Sequence, residues 1–183
     1  MEGCKLTLSM LDSKGNRESG WEENGKRGGL DYIPPKGWKG FGLKVLDKYD
    51  LGNNDWLGCD GNPNEWAVAY HGIGTKLGMK LEDATHDIII GGFKAGGGQA
   101  YENYDDDNHP GKKIGKGVYC SPDPNVMDQY AHSTNKNGKK YKMGFMMRIK
   151  PEKIRYSLAK KDYWVLNGKT DEMRPYRILI KEV

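Results

Sequence analysis

Two tyrosines eleven positions apart, Tyr119 and Tyr130, straddle a proline-broken turn in the stretch GKGVYCSPDPNVMDQYA (115–131). Aromatic faces stack on flat rings and attract cations. Glycines at 115 and 117 let another group approach the backbone closely. The pattern suits a slot for a planar heterocycle, set against the plainer reading of a strand, a turn and a helix with half-buried core tyrosines. Upstream, Tyr70-His71-Gly72 closes the alternating stretch EWAVAYHG (65–72) and is followed by Ile73-Gly74-Thr75. A histidine at a strand end can offer a side-chain hydrogen bond, and Gly72 again opens the backbone. Taken singly, each feature is more often an ordinary structural one.

Other reactive groups carry less. The cysteines Cys4, Cys59 and Cys120 form no CxxC pair and the four histidines stand far apart, so no metal site is expected. Reduced thiols in an intracellular compartment, cytoplasmic or nuclear, are the expected state. Cys120 has no placeable His or Asn partner, which favours a small buried thiol over a nucleophile. DDDNH (105–109) offers acids for a cation, but three adjacent aspartates in a loop are more often solvated charge. GGFKAGGGQ (91–99) lacks both GK[ST] and the strand-to-helix order of a phosphate loop, and reads as a hinge or a loop over a pocket.

The elements that must position these groups come from a polar chain. Of 183 residues, 36% are apolar and 30% charged, with 26 glycines that favour turns over long helices. The net charge of +4 is spread among acids, which argues against a dedicated nucleic-acid surface and leaves an anionic small molecule compatible. MEGCKLTLSM lacks the pattern of a secretory signal, and no apolar run is long enough to span a membrane. Residues 3–11 alternate as a strand does, and 12–31 form a loop or long hairpin connection. Residues 32–66 are irregular, and Trp38, Trp56 and Trp66 there act as core anchors. A strand at 65–72 leads to a helix at 81–93, which Gly91 and Gly92 stop. A short strand GVYCS precedes a helix at 123–131 with Asp123 as N-cap and Pro124 in its first turn. Segments 141–151, 162–168 and 174–183 read as strands. The order describes one α+β domain over 1–183.

Taken together and in order, these motifs resemble the catalytic domain of the poly(ADP-ribose) polymerase-like ADP-ribosyltransferases. That family carries a His-Gly strand, a helix leading into a Gly-hydrophobic turn, a GxG[IV]Y strand, and a helix bearing a second Tyr. Here the corresponding segments are YHG (70–72), the helix ending in GGF (91–93), GKGVY (115–119) and Tyr130. The likeness spans about 65–183, and residues 1–64 match none of its core pattern. It implies split mixed or antiparallel sheets with short helices, and NAD as substrate without a metal. His71 and the Gly72 backbone would hold the ribose and the nicotinamide amide, with Thr75 and Gly117 beside them. Tyr119 and Tyr130 would sandwich the nicotinamide ring. Met127 stands where the family often has a Ser, for which Ser121 is a substitute. Glu172 is the candidate for the carboxylate that stabilises the transition state, with Tyr176, Arg177 and Glu182 as other occupants of that region. Transfer of single ADP-ribosyl groups to a protein or nucleic-acid acceptor follows from this reading. A silent binding module, an RNA 2′-phosphotransferase and a plain structural domain are its rivals.

Overall fold

A long antiparallel pair sets the frame. The computed structural model describes residues 5–183, and within it β4 (Ala67–Gly72) pairs with β7 (Lys139–Ile149), from Ala67 opposite Ile149 to Gly72 opposite Gly144. On the other edge of β7 lies β9 (Met173–Glu182), with a register shift between Met146 and Met147, and β3 (Lys39–Gly42) follows it. The near end of β7 also carries β6 (Ser133–Lys136), which completes a five-stranded sheet. Two smaller antiparallel pairs stand apart: β5 (Val118–Cys120) with β8 (Trp164–Leu166), and β1 (Gly25–Arg27) with β2 (Leu30–Tyr32). The described residues form an α+β fold with antiparallel sheets and two α-helices, α1 (Leu81–Gly91) and α2 (Pro124–Tyr130).

Alternation along β7 builds two cores. Phe145, Met147 and Ile149 are fully buried against Leu81 and Ala84 of α1 and against Phe93. Met146 turns the other way, toward Val68, Tyr70, Tyr32, Trp38 and the α2 residue Met127. Each large apolar side chain removed from water in this way contributes about 1.5–3 kcal/mol. Burial thus selects the register, since a one-residue slip would exchange the faces. Helix α1 ends where expected, with Gly92 at φ +75° donating its N–H to Ile88 O at 2.8 Å. Helix α2 is capped by Asp123, which accepts from Asn125 N at 2.8 Å.

The first segment departs from expectation. Of the strand anticipated at 3–11, residues 3 and 4 (with Cys4) lie outside the described residues. Residues 5–11 form no strand; Leu8–Met10 is a single 3-10 turn. The chain meets β3 and the residue after it through isolated bridges, Arg17 to Gly40 and Leu11 to Leu43. These are joined by Asp12 N donating to Gly42 O at 2.9 Å and Gly42 N to Asn16 Oδ1 at 3.0 Å. The backbones come so close that a Cβ on Gly15 would lie 2.8 Å from Gly42 Cα. Residues 39–42 of this amino-terminal part nonetheless belong to the central sheet, as its edge strand β3. Trp38, Trp56 and Trp66 are buried as anchors. Asp106, expected in solvent, is 2% exposed. It accepts from the His109 ring at 2.7 Å and from Asn108 N at 3.0 Å, which anchors the loop between α1 and β5. That loop is closed by two bridges, Gly96 to Gly117 and, inside it, Asp105 to Lys113.

Arg174 ties the amino-terminal segment to β9. Its guanidinium forms a two-pronged pair with Asp50 at 2.7 and 2.9 Å, and lies over the rings of Tyr49, Trp56 and Trp66 at 4.4, 4.9 and 4.2 Å. Removing it takes the cation from the faces of Trp56 and Trp66, while Lys48 stays 5.4 Å over Tyr49, and leaves a hole between two segments. Arg174→Ala should cost about 2–4 kcal/mol in urea unfolding. A cost below about 1 kcal/mol would show that the stack is incidental.

Candidate functional site

β4 pairs with β7 on one edge only. Ile73 N reaches Met143 O at 3.0 Å, so residues 67, 69, 71 and 73 direct their backbone groups to β7. Val68, Tyr70 and Gly72 direct theirs outward. Tyr70 uses its pair on Ser121 of the following strand segment, at 2.8 and 3.0 Å. Gly72, two residues on, presents its N–H and C=O to the space where the small β5–β8 pair splits from the main sheet. Helix α2 runs behind it. A Cβ at 72 would sit 2.6 Å from Met127 O and 2.7 Å from Ala131 N, so glycine is required by the packing of the helix end.

A cleft of about 420 Å³ opens there, and Tyr70, His71, Gly72, Tyr119, Ser121 and Tyr130 all line it. The imidazole at 71 and the phenols at 119 and 130, anticipated as one constellation, do converge on one cavity. His71 Nδ1 lies 2.8 Å from Tyr119 O. A carbonyl only accepts, so Nδ1 carries the proton and Nε2 keeps its lone pair. Burial lowers the His71 pKa, opposed by that hydrogen bond, which keeps the ring neutral. Its edge meets Phe93 at 5.1 Å. The Tyr119 hydroxyl is buried near the Tyr101 backbone yet makes no hydrogen bond of ordinary geometry. Burial raises its pKa first, and the Glu102 charge adds to this.

Sequence reasoning missed Gln99, Tyr101 and Tyr163, which also line the cleft. Tyr163 meets Tyr101 at 4.9 Å and Tyr130 at 6.1 Å, with 3.2 Å between the Tyr130 and Tyr163 hydroxyls. These three rings form a collar at the mouth, where Tyr130 is 56% exposed. The glycine-rich loop delivers Gln99 and Tyr101, as its reading as a loop over a pocket allowed. Gln99 Nε2 donates to Gly117 O at 3.3 Å, and its Oε1 is buried without a partner.

Several expected members lie elsewhere. Thr75 is past the end of β4, donating its N–H to His132 Nδ1 at 3.0 Å, and does not line the cleft. Gly117 does not line it either; a Cβ there would meet Val165 Cγ1 at 2.5 Å, so its smallness serves β5–β8 packing. Glu172 is a clear departure. Its carboxylate accepts from Asn167 N at 2.9 Å and Asn167 Nδ2 at 3.0 Å, which closes the β8–β9 turn. The neighbouring Met173 is opposite Ile149, itself opposite Ala67, four residues from His71 along β4. At about 3.3 Å per residue this is roughly 13 Å along the sheet. No Asp or Glu is among the residues that line the cleft. The Ser121 hydroxyl accepts from Asp123 N at 3.0 Å and remains free to donate. Cys120 is buried, and burial pushes its thiol pKa up, so it is inert.

Among the described residues, no group of three or more His, Cys, Asp or Glu is arranged to hold a metal, and no helix is long and apolar enough to cross a membrane. No protein-family model matches the chain, and no curated protein matches it.

Two outcomes follow from this geometry. Gly72→Ala must displace backbone of α2, so it should cost about 1–3 kcal/mol in thermal or urea unfolding; unchanged stability would mean that the contact relaxes freely. For His71, the unfolded chain binds a proton more readily than the folded one. Its contribution to stability is therefore complete above the ordinary value of 6.5 and declines as pH falls below it. The unfolding midpoint should drop between pH 7 and 5, and His71→Asn should flatten that slope. An identical slope in the variant would show that the ring titrates freely.

Proposed function

We propose that the cleft takes the nicotinamide end of NAD and that the chain is an NAD-dependent ADP-ribosyltransferase that transfers single ADP-ribosyl groups to a macromolecular acceptor. The observation that carries this reading is the convergence of His71, Tyr119 and Tyr130 on one cavity beside the outward-facing backbone of Gly72. A carboxamide has one acceptor and one donor group, which match the N–H and C=O of Gly72. Rings at 119 and 130 flank the cationic pyridinium. The unprotonated Nε2 of His71 can accept a ribose hydroxyl, and the Ser121 hydroxyl can donate to the amide oxygen. Splayed antiparallel sheets meeting at β4 and β5 agree with the ADP-ribosyltransferase-like architecture that the motifs imply.

In the reaction the bond between nicotinamide and the anomeric carbon breaks, and its electron pair leaves with nicotinamide, which becomes neutral. The acceptor nucleophile bonds to the same carbon and loses its proton. The walls of this cleft remove water from the pyridinium, which favours its departure. They supply no carboxylate for the developing oxocarbenium charge. Loss of one oriented electrostatic group of this kind typically slows turnover by about 10²–10³-fold. Slow single transfer rather than chain elongation is the activity that fits.

The location of Glu172 favours a second reading, a module that binds NAD or ADP-ribose without turning it over. Titration calorimetry with NAD and measurement of nicotinamide release separate the two. Tyr119→Ala and Tyr130→Ala should each weaken NAD binding by roughly 5–30-fold, the equivalent of about 1–2 kcal/mol. Release of nicotinamide that those variants abolish is the expected result. Binding without release selects the module, and absence of NAD binding removes both readings.

A further inference from the structure

Three arginines of the central sheet are buried: Arg148 at 2% exposure, Arg174 at 3% and Arg177 at 8%. Arg174 has Asp50 as its counter-ion. Among the described residues the other two have none. Arg148 donates to Trp66 O at 2.6 Å, to Leu57 O at 2.9 Å and to Cys59 Sγ at 3.4 Å, and its Nε has no partner. Arg177 donates to Gly15 O at 2.8 Å and to Met146 Sδ at 3.4 Å. The ring of Tyr176 is shared between them, 5.5 Å from the Arg148 guanidinium and 5.2 Å from that of Arg177. A guanidinium cannot escape burial by giving up its proton. Carbonyl dipoles and ring faces compensate only part of what water supplied.

Both groups line a cavity of about 280 Å³ between the sheet and the amino-terminal segment, and this cavity shares no lining residue with the Tyr119 cleft. Arg17 and Arg27 reach it from that segment, Arg27 lying 4.7 Å over the Tyr32 ring. Asp12 and Glu22 are the acids present, and Glu22 is engaged by the Tyr32 hydroxyl at 3.3 Å and by Arg17 at 3.9 Å. With Lys14, five cations face two carboxylates. Leu43, Val45, Leu57 and Val68 supply apolar wall.

We infer that this cavity is an anion site for a phosphate monoester carried on a small apolar or aromatic group. Planar guanidinium forks match phosphate oxygens two at a time. The Nε of Arg148, buried without a partner, shows that this guanidinium is not fully satisfied from within the fold, and the rings of Tyr32 and Tyr176 with the aliphatic wall suit the ester group.

The test is titration calorimetry and thermal unfolding of the full chain with phenyl phosphate and with inorganic phosphate, at constant ionic strength with chloride as reference. Phenyl phosphate should bind, raise the unfolding midpoint, and bind more tightly than inorganic phosphate. Arg27→Gln and Arg17→Gln alter the rim and leave the buried pair intact; each should weaken phenyl phosphate about tenfold. Arg177→Lys keeps the charge and loses the fork, and should weaken it similarly. Tyr119→Ala should leave phenyl phosphate binding unchanged, which separates this site from the cleft. No stabilisation by either anion overturns the inference, because the arginines are then structural staples alone. Binding that survives both rim variants, or that Tyr119→Ala removes, overturns it as well.

Discussion

Everything at the cleft depends on where one ladder stops. The β4 strand joins the smaller sheet through a single bridge, the two backbone hydrogen bonds between Tyr70 and Ser121. Had the antiparallel pairing run on, Gly72 would have bonded to Tyr119 of β5 and the two sheets would have zipped together. Instead the strands diverge past Tyr70: the His71 ring donates to Tyr119 O at 2.8 Å, and the end of α2 packs against Gly72. Exposed strand edges are generally blunted in some such way. Here the covering leaves backbone donor and acceptor groups facing a cavity rather than solvent or a neighbouring chain.

The second ingredient is an aromatic relay with different tasks at its two ends. From Phe145 in the main core, edge contacts pass to Phe93 at 5.6 Å and on to His71, which fixes the imidazole plane from behind. At the mouth, contacts run from Tyr104 through Tyr101 and Tyr163 to Tyr130. The inner rings are buried and rigid, whereas the outer ones are partly wet and held by phenol contacts and edge-to-face packing worth about 0.5–1.5 kcal/mol each. The cleft is thus preorganised at its back and adaptable at its rim.

Much of this was legible in the residues, and the failures have identifiable causes. Strands β4, β5, β7 and β9 and both helices announce themselves through alternation, caps and glycine stops, since their apolar faces are the cores. His71, Tyr119 and Tyr130 could be grouped only because the order of their motifs resembles that of a known family. Residues 5–11 misled because alternation reports a half-buried strand only when a sheet edge is free to receive it. Beside β3, the Gly15–Gly42 contact holds that chain in isolated bridges instead. Glu172 misled because proximity in sequence to β9 says nothing of position along the sheet, which the β7–β9 register decides. Gln99, Tyr101 and Tyr163 carry no periodic signal, since loops are placed by contacts across the chain. Asp106 could not be told from its two neighbours by composition; only the His109 ring and the nearby amides distinguish it.

The loop between α1 and β5 is pinched twice, at Gly96 with Gly117 and again at Asp105 with Lys113. Gln99 and Tyr101 leave the chain between the first pinch and the second, so the cleft draws only on the neck of this pendant. Beyond the inner pinch the chain is tied down again, with Asp107 N donating to Tyr156 O at 2.9 Å, Asn108 Nδ2 to Ile154 O at 2.8 Å, and the His109 ring to buried Asp106. Only the exposed tip at Pro110 and Gly111 stands clear of these ties, and length variation there is insulated from the tyrosine slot, since closure grows only with the logarithm of contour length. Tolerance to inserted sequence, including a grafted tag or probe, should concentrate at that tip.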